Sequence, residues 1–211
     1  MNISKFVAPE IIFGQGSLSQ IGESAVRLGA SKVFLVSDEG VINAGWADLA
    51  LHYLRAAGLE AEVFSALTTN PKDFEVIQGA EHYLASGCDA LVAVGGGSPT
   101  DVAKAVAILA TNGGQLKDFE GINKITHPLP PMVIAPSTAG AGSEVSQFAI
   151  IVDTVRNLKM SIISKSLVPD IAIVDPELLK TKDALLAAAT GLDALTPVSY
   201  THLTLPTKRI V

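Results

Sequence analysis

The chain has 211 residues, of which 48% are hydrophobic and 17% charged, a balance typical of a globular protein rather than a disordered one. The net charge of −6 comes without a basic cluster, which argues against nucleic acid or an anionic membrane as a partner. The single cysteine, Cys88, cannot form an internal disulfide, and neither a run of about 18 apolar residues nor a signal-peptide pattern is found. We therefore expect a soluble protein of a reducing cytoplasm.

Predicted strands and helices alternate along most of the chain. Apolar runs rich in β-branched residues predict strands at Lys32–Ser37, Ala61–Phe64, Ala90–Val94 and Met132–Ala135. Apolar residues at helical spacing predict helices at Ala47–Ala57, Asp73–Ser86 and Asp101–Ala110. Because each crossover between parallel strands needs a connecting element, this order predicts an α/β fold, a parallel sheet with helices on both faces.

The pattern changes beyond Gly142. Two β-rich runs, Ser146–Val152 and Leu158–Ser164, flank a polar stretch suited to a turn and predict a β-hairpin. A further strand is predicted at Ile171–Val174, and an alanine-rich helix at Lys182–Thr190.

A glycine cluster follows the strand Ala90–Val94, where the sequence reads GGGSPTD over Gly95–Asp101. Small residues at the start of a helix leave backbone N–H groups open to a phosphate, which predicts an anion-binding turn. We expect Asp101 at the helix start, where it can cap N–H groups or hold the turn, with Lys104 one turn further along the same face. The spacing matches neither GxGxxG nor GxxxxGK[ST], so a turn that only permits tight packing is the alternative.

Three motifs in order resemble the iron-containing (group III) alcohol dehydrogenases. They are GGGSPTDVAKAV from Gly95, PSTAGAGSEVS at Pro136–Ser146 and GLDALT at Gly191–Thr196. The likeness extends to PEIIFGQGSL from Pro9, the pair Asn70-Pro71 and VPDIAIVDPELL from Val168, so it covers essentially residues 1 to 196. It implies a Rossmann-like nucleotide-binding domain followed by an all-helical domain, with NAD(P) as hydride carrier and a divalent metal in the cleft between them.

The resemblance also implies a set of cofactor-binding residues. Gly96, Gly97, Ser98 and Asp101 resemble the family's contacts to the pyrophosphate and the nicotinamide ribose. The complete set is Asp38, Asn70, Gly95, Gly96, Gly97, Ser98, Asp101, Thr138, Ser143, Lys159 and Leu178. For Thr138 and Ser143 the alternative is an ordinary turn hydroxyl that hydrogen-bonds its own backbone.

Asp38 matches the position where the family holds the adenosine ribose. A carboxylate there accepts hydrogen bonds from the ribose hydroxyls and repels a 2′-phosphate, which favours NAD over NADP. The alternative is a solvated Asp-Glu-Gly turn.

The family resemblance implies a metal, iron or zinc, held by one aspartate and three histidines. The first two ligands come as Asp-x-x-x-His, a spacing that places both side chains on one helix face. Asp193 matches the aspartate, but the expected histidine position holds Pro197, and the other two family histidines have no counterpart in the sequence. The metal site is therefore expected to be incomplete, with no catalytic residue beyond the metal ligand. His52, His82, His127 and His202 match no ligand position of the family.

The residues from Pro197 onward do not continue the family pattern. Proline fits poorly inside a helix, the segment has no helical apolar stripe, and its core, VSYTHLTLPT, resembles a translated sequencing adapter. We therefore divide the chain into a dinucleotide-binding domain (1–181), the truncated start of a helical metal-binding domain (182–196) and a non-native tail (197–211).

The resemblance implies a metal-dependent NAD alcohol dehydrogenase, with a small alcohol or aldehyde as substrate and a homo-oligomer for the intact enzyme. In such an enzyme the metal binds the substrate oxygen as a Lewis acid while hydride passes to the nicotinamide. We expect the chain itself to be inactive. The alternatives are a dinucleotide- or phosphate-binding module without catalysis, and a related enzyme resembling glycerol dehydrogenase or dehydroquinate synthase.

Overall fold

The computed structural model describes the backbone of residues 7–203 and the side chains of residues 7–196. The strands are β1 (Glu10–Phe13), β2 (Lys32–Val36), β3 (Glu60–Phe64), β4 (Ala90–Gly95), β5 (Gly121–Ile122), β6 (Met132–Pro136), β7 (Phe148–Asp153), β8 (Leu158–Ile163) and β9 (Ile171–Val174). The α-helices are α1 (Ile21–Arg27), α2 (Glu39–Asn43), α3 (Trp46–Ala56), α4 (Asp73–Ser86), α5 (Gly97–Asn112) and α6 (Ala184–Leu203). Short 3₁₀ helices cover Ser17–Gln20, Leu116–Phe119, Lys165–Leu167 and Pro176–Leu179.

Six strands form the main sheet in the order β1-β9-β6-β4-β2-β3, and every neighbouring pair is parallel. The central strand β4 is buried along its whole length, because neighbouring strands cover both of its edges and helices cover both of its faces. The predicted α/β fold with a parallel sheet is therefore confirmed.

Each face of the sheet carries its own apolar cluster. Alternate residues of β2 point in opposite directions, so Phe34 joins one cluster with α4 and α5, whereas Val33 and Leu35 join the other with α1 and α3. A fully buried side chain of this size contributes roughly 1.5–3 kcal/mol. The two clusters together fix the sheet between its helical layers.

A second, three-stranded sheet has the order β5-β8-β7. β7 and β8 pair antiparallel, with Phe148 opposite Ile163 and Asp153 opposite Leu158, which confirms the predicted hairpin. The backbone N–H of Val152 donates to the carbonyl of Pro71 over 2.8 Å, which joins the hairpin to the segment before α4.

Two helices differ from the sequence prediction. α5 begins at Gly97 rather than Asp101, because small residues and Pro99 in its first turn are compatible with helical geometry. α6 extends past the predicted end at Thr190 and continues through Pro197 to Leu203, so proline does not end the helix. A proline inside a helix lacks the N–H for one backbone hydrogen bond. On the same helix the hydroxyls of Thr190 and Thr196 donate to carbonyls one turn earlier.

The helices of the described residues include none that is both long and apolar enough to cross a membrane.

The amino-terminal segment is attached to the end of β9 through one buried carboxylate. Asp175 is 3% exposed and accepts hydrogen bonds from the backbone N–H groups of Gly16 (3.1 Å), Leu18 (3.0 Å) and Glu177 (3.0 Å). A single side chain thereby caps the 3₁₀ helix at Pro176–Leu179 and holds the one at Ser17–Gln20.

Replacing Asp175 by alanine should lower the free energy of unfolding by about 2–3 kcal/mol, because backbone donors in a buried setting lose their acceptor. Urea denaturation followed by the fluorescence of Trp46, the single tryptophan, measures the change. Asp48→Ala removes an exposed carboxylate from α3 and is the control. Equal stabilities of the two variants would contradict the assigned role of Asp175.

Candidate functional site

The carboxyl ends of parallel strands meet at one edge of the main sheet. Val36 pairs with Ala93 and with Phe64, and Gly95 pairs with Pro136, so β2, β3, β4 and β6 end side by side. The segments that follow these strands therefore face one another. In open parallel sheets this edge is where ligands bind.

A cleft of about 510 Å³ lies at this edge. Its walls come from the segments after β2, β3, β4 and β6 and from the start of α6. The lining residues are Asp38, Glu39, Gly40, Leu67, Thr68, Thr69, Gly96, Gly97, Ser98, Pro99, Thr138, Lys182 and Leu186. Five of the predicted cofactor residues, Asp38, Gly96, Gly97, Ser98 and Thr138, are thus brought together.

The glycine turn forms the floor of the cleft. A β-carbon at Gly95 would lie 2.6 Å from Cγ of Pro99, so only glycine lets the chain pass this close from β4 into α5. Gly96 is the N-cap of α5, and no side chain caps the helix there. The first N–H groups of a helix have no partner within it and carry partial positive charge, so the first turn of α5 presents a site for an anion.

Asp38 forms the wall next to β2. Its Oδ1 accepts a hydrogen bond of 2.9 Å from the backbone N–H of Val41 and caps α2. Its Oδ2 would be 3.4 Å from a β-carbon at Gly95, so the carboxylate lies close to the glycine turn. The cleft therefore has the uncapped first turn of α5 and a carboxylate side by side.

Thr68 and Thr69 form the wall next to β3, and the sequence analysis missed both. The hydroxyl of Thr68 donates to Oε1 of Glu75 over 2.8 Å, and Glu75 is itself only 4% exposed. Lys72 contacts the same hydroxyl and donates to the carbonyl of Thr69 over 3.0 Å. Their position after a parallel strand was the signal that could have identified them, because that strand ends at the same edge.

Asn70 directly follows this wall and is exposed, with a positive φ of 55°. Asparagine adopts this left-handed conformation more readily than most residues, so the turn into Pro71 suits it. Its contact with a cofactor stays a prediction.

Asp101 does not cap α5. Because the helix begins at Gly97, Asp101 lies in its second turn, beyond the free N–H groups. Burial raises the pKa of Asp101 to about 7, and the charge of Lys104 and the N–H of Ile150 partly oppose this shift. The predicted capping role is wrong, whereas the predicted neighbourhood of Asp101 and Lys104 on one helix face is confirmed.

The remaining predicted cofactor residues lie outside the lining of the cleft. Oγ of Ser143 would be 3.5 Å from a β-carbon at Gly97, which places it against the glycine turn. Lys159 is exposed on β8 of the second sheet, and Leu178 is fully buried in the cluster of α1 and α3. Binding of a cofactor by these three side chains stays a prediction.

Asp193 lies on α6, against the loop that follows β6. A β-carbon at Gly140, whose φ is +122°, would be 2.5 Å from the carbonyl oxygen of Thr190 and 3.1 Å from Oδ2 of Asp193. The helix and the loop therefore touch at a residue that has no side chain. In the described part of the chain no group of three or more His, Cys, Asp and Glu side chains is placed to hold a metal ion. One exposed carboxylate does not complete a metal site, which needs further ligands.

Comparison with known proteins identifies a family and several similar dehydrogenases. Residues 8–176 match the sequence profile of the iron-containing alcohol dehydrogenases. NAD-dependent methanol dehydrogenase of Bacillus methanolicus is 38% identical over 190 residues, which make up 90% of this chain and 50% of that protein. 1,3-Propanediol dehydrogenase of Klebsiella pneumoniae is 42% identical over 194 residues, again 90% of this chain and 50% of that protein.

The crystal structure of a 1,3-propanediol oxidoreductase superposes with a TM-score of 0.90 at 41% identity, and the match covers 92% of this chain and 51% of that one. The chain thus spans about half the length of the curated relatives it matches. The family resemblance carried by the three motifs is confirmed by sequence and by fold, and the chain belongs to the iron-containing alcohol dehydrogenase family.

Proposed function

We propose that the protein is an NAD-dependent alcohol dehydrogenase and that the described residues form its cofactor-binding half. The observation that carries this proposal is the cleft in which the free first turn of α5 lies beside the carboxylate of Asp38. A dinucleotide needs both a positive site for its pyrophosphate and acceptors for its ribose hydroxyls. One relative is an NAD-dependent methanol dehydrogenase, which supports the choice of cofactor.

In this proposal Gly97 and Ser98 hold the pyrophosphate through their backbone N–H groups. Asp38 holds the adenosine ribose, and Thr138 orients the nicotinamide end from the facing loop. NAD, when bound, accepts a hydride from the carbon that carries the alcohol oxygen. The residues of this chain contribute binding, orientation and charge, and the substrate is a small alcohol or aldehyde.

We assign no step to a metal, because Asp193 is a single ligand and the described residues do not complete a site. We propose Asp193 as the first ligand of a metal whose other ligands lie outside these residues. In this proposal the described residues bind a dinucleotide by themselves, as the predicted binding module would, and they do so as one part of the predicted enzyme.

The pyrophosphate assignment can be tested with two variants of similar size. Ser98→Asp places a negative charge in the first turn of α5, where a negative charge stabilises the helix but repels a phosphate. We therefore expect NAD affinity to fall at least about tenfold, or roughly 1.4 kcal/mol. Ser98→Asn lacks the charge and should stay near wild type. Calorimetric titration measures the affinity, and melting temperatures check the fold. Unchanged NAD binding by Ser98→Asp would exclude this turn as the phosphate site.

The Asp38 assignment predicts that NAD binds more tightly than NADP. Asp38→Asn removes the charge but keeps an oxygen that accepts a hydrogen bond from Val41, so α2 stays capped. We expect NADP affinity to rise about fivefold to tenfold, because like charges about 4 Å apart in water repel by roughly 1 kcal/mol or more. Parallel titrations with the two cofactors give the ratio, and Asp48→Asn is the control. Tighter binding of NADP than of NAD by the unmodified chain would contradict the assignment.

The 211-residue chain should bind NAD yet form no NADH in the presence of alcohols, because hydride transfer in this family is expected to need a metal that Asp193 alone does not hold. Absorbance of NADH at saturating NAD, with several alcohols and added divalent metal, measures the activity. A rate like that of a purified family enzyme, with contamination excluded, would refute this expectation.

A further inference from the structure

A fully buried lysine lies beneath one wall of the cleft. Lys104 is two turns into α5, and its side chain is 0% exposed. The ammonium donates hydrogen bonds to the backbone oxygens of Ser143 (2.6 Å), Ser146 (2.7 Å) and Phe148 (3.1 Å). It also lies 3.2 Å from the hydroxyl oxygen of Ser146. Since an ammonium has three hydrogens, its donors match the three carbonyl oxygens in number.

All these acceptors belong to one short segment, Ser143–Phe148, which ends at the first residue of β7 and has little hydrogen bonding of its own. Within it the N–H of Val145 donates to Gly142 over 3.1 Å, and that of Ser146 donates to Ser143 over 3.4 Å. Neither of these two bonds connects the segment to the rest of the domain. The N–H of Ser164 donates to the carbonyl of Gln147 over 3.0 Å, which joins the segment to the residue after β8. The hydrogen bonds that join the segment to α5 are those of Lys104.

The attached segment continues the cleft wall. Thr138 lines the cleft, and its Oγ1 would be 3.1 Å from a β-carbon at Gly96. Further along, the side chains of Ala141 and Ser143 would be 3.4 and 3.5 Å from a β-carbon at Gly97. The spacing between this wall and the glycine turn thus depends on how the loop is held against α5.

The charge of Lys104 is balanced from two elements. Asp101 lies one turn earlier on α5, and Glu144 lies on the attached loop. Burial lowers the pKa of Lys104 to about 8, and these two carboxylates partly oppose the shift. Burying an ammonium is unfavourable unless its donors are satisfied, and here every donor is used for the loop.

We propose that Lys104 is a positioning residue of the cofactor site, whose ammonium holds the Ser143–Phe148 segment against α5 and thereby sets the wall that faces the glycine turn. The inference rests on the proposed NAD binding, because that ligand gives the wall its function. Lys104 itself does not line the cleft.

The test compares wild type with Lys104→Met and with Lys165→Met, the same substitution at an exposed lysine. Calorimetry gives NAD affinity, and hydrogen exchange gives the protection of the amides at Ser143–Phe148 and of those in β4. For Lys104→Met we expect NAD affinity to fall at least about tenfold and the loop amides to exchange at least about tenfold faster, while β4 stays protected. Lys165→Met should behave as wild type.

Unchanged loop exchange, or NAD binding by Lys104→Met within about twofold of wild type, would overturn the proposal. If wild type binds no NAD, the proposed function fails, and loop exchange alone then decides about Lys104. Faster exchange confined to the loop supports its role, and unchanged exchange rejects it.

If Lys104→Met does not fold, the pH dependence of wild type decides. A neutral amine has two hydrogens and cannot serve three carbonyls, so NAD affinity should fall at least about fivefold as the pH rises from about 7.5 to 9.5 through the pKa of Lys104. The free energy of unfolding should change in the opposite direction to NAD affinity. The pKa of Lys104 is lower in the folded state than in the unfolded state, so its contribution to stability becomes more favourable as the pH rises. An affinity that stays constant over this range would reject the proposal.

Discussion

The parallel register of the main sheet is the constraint on which the rest of the structure depends. Pairing of Gly95 with Pro136, and of Val36 with Ala93, makes the strands end at one edge, so residues far apart in sequence become neighbours. That register is held by side chains that alternate between two apolar clusters, and a shift by one residue would exchange the side chains that face the two clusters and disrupt the packing of both. The cleft is therefore a consequence of core packing. Its floor is a backbone turn because α5 begins where β4 ends.

The walls of this cleft depend on buried polar groups rather than on apolar packing. Glu75 holds Thr68 from below, and the ammonium of Lys104 holds the loop after β6. Each polar group is costly to bury unless it is paired, and pairing restricts the partner to a narrow range of positions. Apolar contacts would permit the loop to slide over α5 with little change in energy. Directional hydrogen bonds to three carbonyls hold the loop in one position on α5. Such a fixed position suits a surface that must match a ligand.

Much of the fold was predictable because it follows from local patterns. Val33, Leu35 and their neighbours form a β-branched apolar run, and Asp73–Ser86 has helical spacing along its whole length, so both elements were found within a residue. The start of α5 was misplaced because three glycines predict a turn, although the helix continues up to them. The hydrogen bond of Thr68 to Glu75 and the contacts of Lys104 were out of reach, since they join segments that only the folded chain brings together.

The loop after β6 also links the proposed cofactor site to α6, the helix that carries Asp193. At Gly140 the backbone of this loop touches the carbonyl of Thr190, and the carboxylate of Asp193 lies beside it. Any side chain at this glycine would displace α6, so the position of Asp193 is set by the same loop that Lys104 attaches to α5. Hydride transfer requires the nicotinamide and the substrate to approach within a narrow range of distances. In the proposed enzyme, a loop that contacts the glycine turn on one side and Asp193 on the other would help to maintain that range.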